Sequence, residues 1–266
     1  MKAQFINELD QAFINAKKRH RAAIMPFLTM GYPEENLSLR LLQTLSDNGA
    51  DIIEVGIPYS DPLADGPVIQ ASSQAALERG MTPEKTFEIL TGYADSECTA
   101  SLVIMTYYNI LLQMGLEHFV EKCRFVGVRG VVVPDLPLEE SKTLKVLLDN
   151  AHIHLIHFVA PNLSDERIKK IAQSASGFIY LISVTGVTGQ RQNVPDNVAS
   201  LCARIRQYTD TPIALGFGIG HAEQVSQAAK NVDGVIVGSA LIKQISEPES
   251  AIDNAAVFLR EISAYE

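Results

Sequence analysis

Apolar positions along the chain switch between a helical period and short continuous runs, and this pattern predicts helices and strands in turn. Phe5, Leu9 and Phe13 recur at helical spacing, so we expect an amphipathic helix at the start. Short apolar runs bounded by glycine, proline or polar residues then predict eight strands, at 22–29, 52–55, 101–106, 130–133, 154–159, 178–183, 212–215 and 234–237. Helical segments separate them, at 34–48, 67–79, 83–93, 117–126, 138–150, 164–175, 195–208, 222–229, from about 239, and 248–262.

Eight strands that are each followed by a helix are typical of a (β/α)8 barrel. We therefore predict an α/β fold of this type, a single domain over residues 1–266, with an extra N-terminal helix and extra short helices after strands two and eight. A doubly wound open sheet is the alternative. Against it, no glycine-rich nucleotide fingerprint follows strand one.

Composition narrows the class of partner. The chain has 266 residues and a formal net charge of -9, which argues against non-specific binding of nucleic acid. Its three cysteines are widely spaced and odd in number, as expected for a reducing compartment rather than a disulfide framework. The start of the chain is acidic where a signal peptide would be apolar, and the longest apolar run is too short to cross a bilayer. We expect a cytoplasmic protein without a membrane segment.

Strand two carries a carboxylate where a buried strand has no use for a charge. In Ile52-Ile-Glu54-Val55, strand alternation places Glu54 on the face of Ile52, and both faces of a strand in a parallel sheet are buried. Glu54 is therefore either protonated, part of a site, or a structural carboxyl with a hidden partner. Asp65 follows in a proline-stiffened loop, and two carboxylates in different environments can divide the roles of acid and base.

Glycines follow three consecutive late strands. They occur in Gly186-Val-Thr-Gly189 after strand six, Gly216-Phe-Gly218 after strand seven and Gly238-Ser239 after strand eight. Each alone could be a turn. Together they occupy the usual phosphate site of a barrel, where backbone N–H groups and a helix N-terminus bind the anion.

Two other kinds of site are disfavoured. His152, His154 and His157 have a spacing that could bind zinc, but on a strand the third faces away from the other two, so we expect no metal site. Strand six has no lysine for a Schiff base. The residues therefore favour general acid–base chemistry on a phosphorylated small molecule.

Several motifs resemble one enzyme family, the tryptophan synthase alpha subunit, over essentially the whole chain. The most specific is the run Glu54-Val-Gly-Ile-Pro-Tyr-Ser-Asp-Pro-Leu-Ala-Asp-Gly-Pro67. The others are Pro26-Phe27, Asp135-Leu-Pro137, Gly186-Val-Thr-Gly189, Gly216-Phe-Gly-Ile219 and Gly238-Ser239.

The resemblance implies retro-aldol cleavage of indole-3-glycerol phosphate to indole and glyceraldehyde 3-phosphate. Glu54 would be the general acid–base, Asp65 would hold the indole N–H, and Tyr180 would line the site beside Glu54. The indole would be flanked by Phe27, Ile69 and Phe217, and the phosphate would be bound by Gly189, Gly218, Gly238 and Ser239.

The resemblance also implies a partner. A beta subunit containing pyridoxal phosphate would form an alpha2beta2 tetramer with this chain, which would itself hold no cofactor. Pro58, Asp61 and the loop Asp135-Leu-Pro137 would face that partner. Val184-Thr185 and Met105-Thr106 depart from the common family pattern, in a lid and in a pocket wall respectively.

Two other functions stay open from the residues. One is a different phosphate-binding barrel enzyme, such as a synthase or isomerase, although indole-forming barrels of that kind rely on lysines at strand ends. The other is a non-catalytic barrel that binds a phosphorylated ligand and activates a partner. Glu54 and Asp65 argue against it.

Overall fold

Eight parallel strands close into a barrel in chain order, in a computed structural model that describes residues 5–182, 197–216 and 218–264. Each strand pairs with its sequence neighbours, and β1 closes the ring by pairing with β8. The strands are β1 Ala23–Thr29, β2 Ile52–Gly56, β3 Ser101–Met105, β4 Val128–Val132, β5 His154–Val159, β6 Ile179–Ile182, β7 Ile213–Gly216 and β8 Gly234–Val237. The predicted (β/α)8 barrel is confirmed.

Helices surround the barrel, and a 3-10 turn at Glu35–Leu37 precedes the second of them. Within the described ranges they are α1 Glu8–Lys18, α2 Ser38–Asp47, α3 Pro67–Glu78, α4 Pro83–Ala94, α5 Tyr108–Met114, α6 Leu116–Phe125, α7 Lys142–Asn150, α8 Asp165–Ser174, α9 Asn197–Arg206, α10 Ala222–Ala229, α11 Ser239–Gln244 and α12 Ala251–Ser263. The extra helices expected before β1, after β2 and after β8 are present. None of these helices has the length and apolar content needed to cross a membrane. The single domain over 1–266 stays a prediction.

The sequence pattern was wrong in several places. Strand four, predicted at 130–133, is Val128–Val132, and the helix predicted from residue 34 begins at Ser38 after the 3-10 turn. The pattern missed α5, which begins directly after β3. It also started α7 at residue 138, whereas residues 138–141 form a turn in which the Ser141 hydroxyl donates to the Leu138 carbonyl at 2.7 Å. The last helix begins at Ala251 rather than at residue 248, because the preceding residues form turns closed by the Ser250 and Ala251 N–H groups.

Helix α1 closes the N-terminal end of the barrel. Asn7 caps it by accepting from the Leu9 N–H at 2.9 Å, and its buried side chains Leu9 and Phe13 enter the barrel interior. Two glycines make room for them. A Cβ at Gly130 would lie 3.0 Å from Leu9, and one at Gly234 would lie 2.9 Å from Phe13. Side chains of α1 thus fill the barrel interior at this end, and the opposite end is left for a site.

Strand β2 distributes its side chains as the alternation predicts. Ile53 and Val55 pack outward with the helices, whereas Ile52 belongs to the cluster inside the barrel. Glu54 is on the face of Ile52 and is paired in register with Phe27 on β1 and Val103 on β3. The carboxylate thus points into the barrel near the end where the strands finish.

Candidate active site

A cavity opens at the carboxyl ends of the strands, with about 950 Å³ of space including its mouth. Residues from all eight strand ends or the loops after them contribute to its wall, which is mostly apolar. The described lining residues are Phe27, Ala64, Asp65, Gly66, Ile69, Met105, Pro134, Phe158, Tyr180, Ile182, Gly218, Ile219, Ile236, Gly238, Ser239 and Ala240. An apolar cavity of this size with a few convergent polar groups is typical of a small-molecule site.

Glu54 lies just behind this wall and is 1% exposed. Neither carboxylate oxygen has a hydrogen-bond partner among the residues that the structure describes. Burial and, as a smaller cause, the negative charge of Asp65 raise the pKa of Glu54 to about 8, against the opposing effect of the neighbouring Tyr180 hydroxyl. Glu54 is therefore protonated at neutral pH. A substrate in the cavity can be reached only if this side chain or its cover moves.

Asp65 lies in the loop after β2 and lines the cavity directly. Its carboxylate accepts a hydrogen bond from the Tyr107 hydroxyl at 3.0 Å. Burial, opposed by the hydrogen bond from Tyr107, raises the pKa of Asp65 to about 6. Asp65 is therefore mainly ionised at neutral pH, in contrast to Glu54.

Aromatic rings cover the buried carboxylate. Tyr180 lines the cavity and packs against Phe158 with ring centroids 4.7 Å apart. Gly216 on β7 leaves the space that the Tyr180 ring occupies, because any Cβ there would overlap the ring. Gly56 does the same for Phe27, whose Cζ would lie 2.5 Å from an added Cβ. Glycines at strand ends thus hold these two rings in the cavity wall.

The remaining polar part of the cavity is backbone. Gly218 has a φ of +87°, which favours glycine, and Gly238 directly precedes the short helix α11 that begins at Ser239. The first N–H groups of a helix have no partner within it and can bind an anion. No lysine or arginine is among the described lining residues. An anionic group at this end would be bound by N–H groups and the Ser239 hydroxyl.

Eight of the ten predicted site residues are described. Of these, Asp65, Tyr180, Phe27, Ile69, Gly218, Gly238 and Ser239 line one cavity, and Glu54 adjoins it. Gly189 and Phe217 lie outside the described residues, as do Val184 and Thr185.

Sequence reasoning did not assign Phe158, Pro134, Ile182, Ile219 and Ile236 to the cavity. A signal was present for Phe158, which is two residues beyond the inward-facing Ile156 on β5 and so shares its face.

Two of the three histidines contact residues near the N-terminus of the chain. His154 is buried, and its Nε2 lies 2.8 Å from the Asp10 carboxylate on α1. Phe5 stacks on both His152 and His154, with centroids 5.1 and 4.6 Å away. Within 5–182, 197–216 and 218–264, no three His, Cys, Asp or Glu side chains are grouped to hold a metal ion.

The barrel has a neutral and an ionised carboxylate beside an apolar cavity, and backbone N–H groups near Gly238 that can bind an anion. These features define a class of acid–base barrel enzymes that act on phosphorylated small molecules. A family model described as tryptophan synthase alpha chain matches residues 13–265. The chain belongs to the tryptophan synthase alpha chain family.

Individual relatives agree. The chain is 43% identical over 259 residues to the tryptophan synthase alpha chain of Prochlorococcus marinus strain NATL2A, covering 96% of this chain and 95% of that one. It is similar to a tryptophan synthase structure from Mycobacterium tuberculosis, with a TM-score of 0.91, 31% identity and 98% of each chain covered. A tryptophan synthase complex from Pyrococcus furiosus matches with a TM-score of 0.82 and 33% identity over 90% of this chain and 97% of that one.

Proposed function

We propose that Glu54 and Asp65 carry out the alpha reaction of tryptophan synthase, the lyase step in L-tryptophan biosynthesis. In that step indole-3-glycerol phosphate is cleaved by retro-aldol chemistry to indole and glyceraldehyde 3-phosphate. The observation that supports this assignment is the pair of unequal carboxylates, with the pKa of Glu54 raised to about 8 and that of Asp65 to about 6. At a pH between these two pKa values, Glu54 is a protonated acid and Asp65 is an anion.

The protonated Glu54 donates its proton to C3 of the indole, which gives a cation whose positive charge lies largely on the ring nitrogen. Asp65, ionised, accepts a hydrogen bond from the ring N–H and stabilises that cation. The Glu54 carboxylate then accepts the proton of the adjacent glycerol hydroxyl. The bond between C3 and the side chain breaks, its electron pair restores the indole ring, and the hydroxyl carbon becomes the aldehyde. Glu54 ends protonated, ready for the next turnover.

The apolar wall and the backbone cradle divide the substrate between them. Phe27, Ile69 and Tyr180 contact the indole in this proposal, together with Phe217, and so does Phe158. Gly218, Gly238 and Ser239 bind the phosphate with Gly189. Tyr180 also covers Glu54, which keeps water from the acid until the substrate displaces the ring.

Indole release from indole-3-glycerol phosphate tests the proposal. We expect Glu54→Gln and Asp65→Asn each to lose at least about a hundredfold in kcat. Both variants should bind glycerol phosphate within about twofold of the parent, because neither carboxylate contacts the phosphate. Asp233→Asn is the control, since its carboxylate pairs with Arg206 outside the cavity. Full activity in either carboxylate variant would refute the assignment.

We further propose that a pyridoxal-phosphate beta subunit docks on the loop after β2, in a cytoplasmic alpha2beta2 assembly. Leu63 in this loop is 91% exposed, more than any other large apolar side chain among the described residues, and is available for an apolar contact with a partner. Pro58 and Pro62 stiffen the loop, and the same loop carries Asp65. Docking there would order a residue of the site. Hydrogen exchange should slow in residues 58–65 when the beta subunit is added; slowing only at the α1 end would contradict this.

A further inference from the structure

The side chain of Tyr107 joins the loop after β3 to the loop after β2. Its hydroxyl donates to the Asp65 carboxylate at 3.0 Å and accepts from the Ala64 N–H at 3.1 Å. The hydroxyl therefore contacts both the side chain of Asp65 and the backbone immediately before it.

Tyr107 is itself held rigidly. Its side chain is 3% exposed, and its ring stacks on Tyr59 with centroids 5.0 Å apart. The backbone on either side is bonded to neighbouring strands and loops. Thr106 N–H donates to the Val132 carbonyl at 3.0 Å, and Tyr108 N–H donates to the Asp135 carboxylate at 2.9 Å. The end of β3 and the start of α5 are thus fixed by β4, and the hydroxyl has a defined position.

The hydrogen bonds within the loop that bears Asp65 fix its backbone but not its carboxylate. Asp65 N–H donates to the Pro62 carbonyl at 3.0 Å, and its carbonyl accepts from the Gln70 side chain at 2.9 Å. Both bonds hold the backbone and leave the carboxylate free to rotate. The hydrogen bond that orients the carboxylate comes from Tyr107. A carboxylate that must meet a ring N–H benefits from such a fixed orientation.

We infer that Tyr107 is a positioning residue for the cleavage, which orients the Asp65 carboxylate toward the substrate and keeps it ionised through its hydroxyl bond. This inference rests on the proposed role of Asp65. Burial and the Asp65 charge hold the pKa of Tyr107 well above its ordinary value, so the hydroxyl keeps its proton and can donate. The donated bond lowers the pKa of Asp65 against the effect of burial.

Other charged and titratable groups face the same carboxylate. Glu54 on β2 and Tyr180 on β6 both interact with the Asp65 charge, and Asp135 after β4 acts on Tyr107. The pKa of Glu54 is about 8 and that of Tyr180 is raised well above its ordinary value, so both groups are mainly neutral near pH 6, where Asp65 titrates. Removing the Tyr107 hydroxyl should therefore appear on the acid side of the pH profile.

The test compares two tyrosines that each lose a buried hydroxyl bond. Tyr107→Phe should lower kcat/KM about tenfold at pH 6 and move the acid limb of its pH profile up by about one unit. Glycerol phosphate should bind within about twofold of the parent. Tyr93→Phe is the matched control. Tyr93 lies on α4, away from the cavity, and its hydroxyl donates to the Ala100 carbonyl at 3.0 Å. It should lose a similar amount of stability and leave the pH profile unchanged.

A second replacement covers the case in which Tyr107→Phe does not fold. A 3,5-difluorotyrosine at position 107 keeps the ring and donates more strongly, so the acid limb should move to lower pH. An unchanged acid limb in either protein would overturn the inference while leaving the role of Asp65 intact, provided that Asp65→Asn is inactive. An active Asp65→Asn would overturn both.

Discussion

Replacing Glu54 by glutamine should make the protein inactive and more stable at neutral pH. Glu54 is 1% exposed, and within the described part of the chain its carboxylate oxygens have no hydrogen-bond partner. Its pKa is raised from 4.5 to about 8, mainly by burial. Glutamine has the shape of the protonated side chain but cannot ionise, so the substitution removes the titration and little else.

The sign of the effect follows from the raised folded pKa. Below pH 4.5 the carboxyl is protonated in both states, and the parent has its full stability. As pH rises toward 8 the unfolded chain releases the proton while the folded chain retains it, which favours unfolding. Each pH unit in this window costs about 1.4 kcal/mol. The parent should therefore lose about 2–3 kcal/mol more than the variant between pH 5 and pH 7.

Urea unfolding of parent and Glu54→Gln at pH 5 and pH 7 measures this quantity. The difference between the two proteins matters rather than either value, because the other titrating groups are common to both. Asp65 contributes little to it, since Glu54 is neutral in the folded parent at both pH values. A difference that does not change with pH would show that the folded pKa of Glu54 is not raised. A parent that gains on the variant at pH 7 would show that Glu54 is ionised and well paired.

Three further outcomes are expected. Asp65→Asn should lower the pKa of Glu54, because the Asp65 charge is the second cause of its elevation. A carbon-13 titration of the Glu54 carboxyl would measure this pKa, and an unchanged midpoint would contradict the prediction. Gly238→Ala should weaken glycerol phosphate binding at least tenfold. The free energy of unfolding should change by less than about 1 kcal/mol, since the new Cβ meets nothing closer than 3.5 Å. Lys230→Gln is the surface control, and equal affinity in Gly238→Ala would disprove phosphate binding by the backbone. Leu63→Asp should weaken beta-subunit binding at least tenfold without a change in the unfolding midpoint, and unaltered binding by titration calorimetry would remove the loop from the interface.

The barrel and the placement of Glu54 could be predicted because both follow from local periodicity. Ile52, Glu54 and their neighbours alternate with period two, and the alternation decides which side chains enter the barrel. The region after β3 could not be read in this way. Its apolar run has no glycine or proline between strand and helix, so α5 was not separated from it.

The bond between Tyr107 and Asp65 was also beyond the sequence pattern. It joins two residues 42 positions apart through loops whose course depends on turns and on the packing of Tyr59. Periodicity says nothing about the path of such loops. Phe158 is an intermediate case, because its inward direction follows from Ile156 once the strand is known to belong to a closed barrel.

Helix α1 completes the barrel interior only when β8 is in place, because Phe13 packs against Gly234. These residues are more than 200 positions apart in the chain. During synthesis from the N-terminus, Leu9 can meet Gly130 once β4 has left the ribosome, whereas Phe13 waits for Gly234 until nearly the whole barrel has been made. Over that interval the opposite side of the helix, with Glu8, Lys17 and Lys18, faces water and keeps the segment from associating with other apolar surfaces.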